Sequence, residues 1–263
     1  MTLEIQEFDY ADLCAIGSCT SLRTLVMDIV DDAPYWESDR MAAHLISLDA
    51  LHELMLIDHG HVVCKAIAAP NLAVLSMSYG MHTPEYELSP AYFAQCIRLM
   101  LQRTPGRSGH PLQAMTMDAS TFFANDDDYR DFLSVLLCAP SLKYLELQYM
   151  DAYYSDDLDD EPSRSIIRSL ILRTDSSDLP VVPMLEHLKI DLCGAYGTKH
   201  AELLREIALS RWADDGGGPK ICLTLQAMCR DACSCATRGS WQSELEAHGI
   251  LICRMGCTDL PEF

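Results

Sequence analysis

The sequence predicts an α/β fold: an irregular solenoid with short parallel strands on its concave face and helices on its convex face. Three observations carry this. One apolar phrase recurs seven times along the 263 residues. Helix-length segments separate most copies. The marks of the rival fold, a doubly wound sheet, are missing: there are no near-continuous apolar strands and no Gly-rich phosphate turn after the first one.

The phrase is apolar, two residues, apolar, one residue, apolar. It reads Leu22-Leu25-Met27, Leu51-Leu54-Leu56, Leu72-Leu75-Met77, Leu112-Met115-Met117, Leu142-Leu145-Leu147, Ile167-Leu170-Leu172 and Leu185-Leu188-Ile190. Its last two apolar residues are two apart, so on a strand they point to one side and enter the core. The first enters from the preceding turn. Pro70, Pro140 and Pro183 sit where the chain must turn into a new strand and no ladder donor is needed.

The intervening segments are read as helices. Glu37–Leu48 and His61–Ala68 are short. Ser89-Pro90-Ala91 opens a longer one, with Ser at the N-cap, Pro at N1 and Phe93, Cys96, Ile97, Met100 and Leu101 on one stripe. Asp126–Asp128 precede Tyr129, Phe132, Leu133 and Leu136, acidic residues at the end of a helix that favours them. Thr198 caps Lys199–Trp212. A loop with Gly216-Gly217-Gly218 follows, then a strand at Ile221–Leu225, a helix around Trp241–Ala247 and a strand at 248–254. Strand, turn, helix, turn at a period of roughly 20–29 residues is the leucine-rich-repeat plan. Residues 1–213 are assigned to about seven repeats and 214–263 to a strand-helix-strand that closes the same solenoid.

The charge narrows the function. Lys and Arg number 19 against 39 Asp and Glu, for a formal charge of −20. Such a chain lacks the clustered cations that replace counterions on nucleic acid or attach to anionic membranes. No apolar run approaches the roughly 18 residues of a membrane span, and the start lacks a basic region followed by an apolar one. The 12 cysteines, several inside apolar runs, read as reduced thiols of a cytoplasmic or nuclear protein.

No catalytic residue, cofactor or metal is expected. Cys229-x3-Cys233, with Cys235 beside it, and Cys253-x3-Cys257 fit zinc hooks loosely, but Cys253 lies in a strand phrase, and scattered thiols are the preferred reading. His59 and His61 flank Gly60 and are read as solvated turn residues. Cys64 and Cys96 lie on apolar stripes and are read as inert packing. The acidic run at 156–161 lacks the Gly of a calcium loop and reads as a solvated connection.

What remains is surface. The residues between the apolar positions of each phrase face the concave side. The protein-binding candidates are Val26, Asp28, Glu53, Met55, Ile57, Ser76, Thr116, Asp118, Tyr144, Glu146, Gln148, Ile171, Arg173, His187, Lys189 and Asp191; Thr24, Val74, Ser78, Ala114 and Ser169 share the face. Five are acidic and two basic, so most of the chain's charge lies elsewhere. A mixed face with apolar patches suits protein recognition better than catalysis, which needs convergent titratable groups.

Three segments carry a family resemblance. They are the Ala-Pro-x-Leu-x-x-Leu phrases at 69–77 and 139–147 with Val182–Ile190, the helix Glu202–Trp212, and the closing Glu244–Ile252. In these the chain resembles, over roughly 19–254, the leucine-rich-repeat part of F-box proteins of mushroom-forming (basidiomycete-type) fungi. The resemblance implies the substrate-recognition part of a ubiquitin-ligase adaptor, without enzymatic activity. The family's Leu-Pro-x-Glu F-box is not found ahead of the first repeat, so ubiquitin-ligase subunits are expected as partners only in a longer form. The alternative is a stand-alone acidic inhibitor or scaffold for a basic protein.

Overall fold

The computed structural model describes residues 1–5, 10–29, 45–78, 90–103, 111–118, 128–148, 161–171, 181–192, 201–211, 222–227 and 252–255. The chain divides into two compact units, one of residues 1–117 with 130–142 and one of 118–129 with 143–263.

In the first unit the described elements are β1 (Thr2–Ile5), α1 (Tyr10–Gly17), β2 (Thr24–Ile29), β3 (Ile46–Ser47), β4 (Glu53–Asp58), β5 (Ile67–Ala68), β6 (Val74–Ser78), α2 (Pro90–Gln102) and β7 (Ala114–Asp118). The buried face of α3 (Asp128–Leu136) also belongs to it. Strands β1, β2, β4, β6 and β7 pair in chain order, all parallel, while β3 and β5 form a separate parallel pair. The register stacks like on like: Leu3, Leu25, Leu54, Leu75 and Met115 form one row, and Ile5, Met27, Leu56, Met77 and Met117 the next. From β2 to β7 both rows are buried. Helix α2 buries Phe93, Cys96, Ile97, Met100 and Leu101, and α3 buries Phe132, Val135 and Leu136.

The second unit repeats the plan with β8 (Tyr144–Gln148), α4 (Glu161–Ser169), β9 (His187–Leu192), α5 (Ala201–Ser210), β10 (Cys222–Ala227) and β11 (Ile252–Met255). Strands β8 to β11 again pair in chain order and in parallel, with Leu145, Leu188, Leu223 and Ile252 in one row. Helix α5 buries Leu203, Leu204, Ile207 and Ala208.

The turn into each strand is built the same way. The buried first leucine of the phrase returns its N–H to the carbonyl three residues back: Leu22 to Cys19, Leu51 to Leu48, Leu72 to Ala69, Leu142 to Ala139 and Leu185 to Val182. Pro70, Pro140 and Pro183 take the second place of this turn, where a fixed φ helps and no N–H is lost. One carbonyl ahead of the strand then accepts two N–H groups from the following strand. Arg23 O takes His52 and Glu53, His52 O takes Ala73 and Val74, Ala73 O takes Gln113 and Ala114, and Lys143 O takes Glu186 and His187.

Three expectations are corrected. The phrase Ile167-Leu170-Leu172 is not a strand: Ile167 lies in α4, Leu170 in the turn that ends it, and Ile171 in the bend beyond. Glu161-Pro162 opens the helix, Pro falling in its first turn, and Ile166, Ile167 and Leu170 are its buried stripe. The segment His61–Ala68 is not an α-helix either. A 3₁₀ turn spans His59–Lys65 and then gives way to β5. Asp58, at φ 50°, turns the chain out of β4, and Gly60 passes so close to β2 that a Cβ there would collide with the Met27 carbonyl oxygen. At Glu37–Leu48 the described end carries β3 in place of a helix. Strand β1 and helix α1 were not anticipated. The cap at Thr198, the helix at 241–247 and the run at 156–160 lie outside the described residues.

Candidate protein-binding face

Alternation decides which side chains leave the core. In β2, β4 and β6 every second residue is buried and those between are half-buried, which defines an open face on the first unit.

On the first unit, register brings Glu4, Val26, Met55, Ser76 and Thr116 into one rung across five strands. The rung beside it holds Thr2, Thr24, Glu53, Val74 and Ala114. Asp28, Ile57 and Ser78 form a third. The Thr24 hydroxyl donates to Glu53 Oε2 at 3.3 Å, fixing that carboxylate between strands. No Lys, Arg or His occupies the described outward positions of these strands.

On the second unit the open face is a hydrogen-bonded cluster around Glu146. Tyr144 Oη donates to its Oε2 at 2.7 Å. Gln148 Nε2 donates to Oε1 at 3.0 Å, and Lys189 Nζ to the same oxygen at 2.7 Å. Glu146 and Lys189 are direct partners across the β8–β9 ladder, as are Tyr144 and His187, whose rings lie 6.4 Å apart. Glu146 is buried, and burial alone would push its carboxyl up. The three hydrogen bonds and the Lys189 charge outweigh this and hold it below the ordinary range. Glu146 is therefore an ionised, saturated fixture of the face, not a proton carrier.

Five predicted residues (Tyr144, Glu146, Gln148, His187 and Lys189) thus meet in one cluster. Val26, Met55, Ser76 and Thr116 share a rung on the other unit, with Asp28, Glu53 and Ile57 on the rungs that flank it. Asp118 and Asp191 lie at the C-terminal ends of β7 and β9, and their side chains are outside the description. Ile171 sits in the bend after α4 and joins no rung, because the phrase that carried it is helical. Arg173 lies outside the described residues. Sequence reasoning missed Glu4; the Leu3-x-Ile5 alternation was its only signal.

A second cluster lies beneath the first unit's sheet. His59 and His61 are buried, not solvated, because the 3₁₀ turn tucks under β2 and β4. The His61 ring stands 4.9 Å from Phe93 and 5.9 Å, edge-on, from Tyr92. Its Nδ1 reaches Asp58 O at 3.4 Å, and its Nε2 has no hydrogen-bond partner. Burial pushes its pKa down to about 4, and His59 and Lys65 add to the shift. Lys65 Nζ lies 4.0 Å from the centre of the Tyr92 ring. Cys64 and Cys96 are fully buried, and burial raises both thiols, Cys96 to about 11, in keeping with inert packing. Among the described residues no group of three or more His, Cys, Asp or Glu is placed to hold a metal. Cys229, Cys233 and Cys235 lie outside them.

These features define an α/β chain of in-order parallel strands with outward polar and apolar rungs. No protein-family model matches it, and no curated protein does. No helix among the described residues is long and apolar enough to cross a membrane.

Proposed function

We propose that the chain is an irregular leucine-rich-repeat solenoid and a non-enzymatic protein-interaction module, the substrate-recognition part of an F-box-type ubiquitin-ligase adaptor. The observation that carries the interaction role is the ladder of outward rungs. Adjacent strands in register place half-buried apolar, hydroxyl and carboxylate side chains side by side, a mixture typical of protein recognition surfaces. The Glu146 cluster supports the same reading, since a saturated ion pair with flanking amide and phenol groups offers fixed geometry and no free acid or base. The adaptor role rests on the resemblance of the Ala-Pro-x-Leu-x-x-Leu phrases and the closing helix and strand. Ligase subunits join it only through an F-box carried in a longer form.

Photo-crosslinking tests the interaction role. A photoreactive residue at Thr116 or Gln148 is expected to trap a discrete protein in host extract, and the same probe at Ala91 or Glu206 on the exposed helix surfaces is not. Trapping from the helices alone overturns the reading. Purification of an F-box-bearing form without any ligase subunit removes the adaptor role.

A further inference from the structure

The two open faces differ in a way that assigns part of the partner. The second unit neutralises its own carboxylate: Glu146 is paired with Lys189 at 2.7 Å and closed off by Tyr144 and Gln148. Among the described residues of the first unit, neither Glu4 nor Glu53 forms such an ion pair. Glu4 is exposed on β1 and Glu53 half-buried on β4, and no described outward position on β1, β2, β4, β6 or β7 carries a cation. Between the two carboxylates lie Val26 and Met55, on the rung that Glu4 heads.

The spacing is fixed by the ladder. Glu4 pairs with Val26, Val26 with Met55, and Glu53 precedes Met55 by two residues. Two strand separations combined with one two-residue step put the carboxylate positions about 12 Å apart. A strand advances about 3.3 Å per residue and alternates its side chains, so a step of four residues covers that distance with both side chains on one side. We infer that the open face of the first unit takes an extended segment of the protein partner with two Lys or Arg residues four apart and an apolar residue midway between them, all three on one side of the segment. The cations meet Glu4 and Glu53, and the apolar side chain lies on Val26 and Met55. Charge complementarity selects this occupant: a segment with acidic groups at either place meets like charge, and a wholly apolar one leaves Glu53 half-buried with no partner but Thr24. The inference rests on the protein-interaction reading and adds the chemistry of the bound segment.

The test uses the full chain and fluorescent 12-residue peptides of one composition. Each carries two lysines and one isoleucine, with the lysines two, four or eight apart. Binding is read by anisotropy at low and moderate salt. Tightest binding is expected at spacing four, with a loss of about tenfold or more in Glu4→Gln and Glu53→Gln. Glu206→Gln, which removes an equal charge from the exposed face of α5, is expected to leave it unchanged. Binding that ignores lysine spacing, or that falls equally in Glu206→Gln, overturns the inference as simple attraction to an acidic protein. Absence of binding by every peptide overturns it too. If crosslinks still map to Thr116 and Gln148 in that case, the interaction reading stands and only the assigned segment falls. Circular dichroism of each variant confirms that the surface substitutions leave the fold intact.

Discussion

Arg211 Nη2 donates to the carbonyl oxygen of Leu170 at 2.7 Å, and its Nε reaches the same oxygen at 3.2 Å. Arg211 follows α5, and Leu170 closes the preceding helix α4. The guanidinium is buried and spends further N–H groups on Val182 O and Val181 O. Arg103 behaves alike in the first unit: it follows α2 and donates to Cys64 O and Ile67 O, at the end of the 3₁₀ turn and in the strand beyond. Each arginine thus ties the end of one helix to a carbonyl where the previous helical segment stops, Leu170 O for Arg211 and Cys64 O for Arg103.

Replacing Arg211 with Met removes both donors to Leu170 O and the donor to Val181 O, while Val182 O keeps Leu185 N–H. A loss of about 2–4 kcal/mol is expected in urea unfolding. Arg211→Lys should recover little, because one ammonium cannot fork to carbonyls on two segments.

His61 predicts an acid dependence of stability. The unfolded side chain takes up a proton near pH 6.5, whereas the buried ring stays neutral until about 4. Below pH 6.5 the unfolded state therefore binds more protons, and stability falls as pH drops toward 4, by on the order of 3 kcal/mol across the window. His61→Leu should flatten the urea midpoint between pH 7 and pH 4.5 relative to the parent. An unchanged slope would assign the dependence to other groups.

Lys189→Met leaves Glu146 buried with its charge uncompensated. A cost of about 1–3 kcal/mol is expected, together with an upward move of the Glu146 carboxyl titration followed by NMR. The double variant Lys189→Met with Glu146→Gln should lose less than Lys189→Met alone, since no bare carboxylate remains.

Gly60→Ala would drive a methyl group into the Met27 carbonyl. The clash is with backbone, which cannot rotate away, so a destabilisation of about 2–3 kcal/mol is expected from thermal or urea unfolding. Gly17→Ala meets only the side chain of Ile46, at 2.9 Å, and should cost less.

The strands were legible wherever alternation and the turn agreed. Leu51, Leu54 and Leu56 read correctly because a turn leucine and two core residues on a strand admit one geometry. The same phrase at Ile167 and Leu170 admits another: residues three apart also share a helix face, and Ile166 with Glu161-Pro162 favoured the helix. The Glu146 cluster was legible as a set of face residues, but its bonds were not, because the Glu146–Lys189 pair spans 43 residues and depends on register. His59 and His61 looked polar and therefore solvated. Their burial follows from the turn at Asp58 and the close approach at Gly60, which no local pattern announces.

Within each unit, each described strand of the ladder bonds to the ladder strands before and after it, with the β3–β5 pair set apart. Leu75 meets Leu54 on one side and Met115 on the other, although the segment leading to Met115 is much the longer. Connections of unequal size thus feed an unbroken register. An insertion or deletion between strands changes what decorates the ladder without rewiring it, so such a scaffold can diversify its loops by indels while its rungs stay aligned.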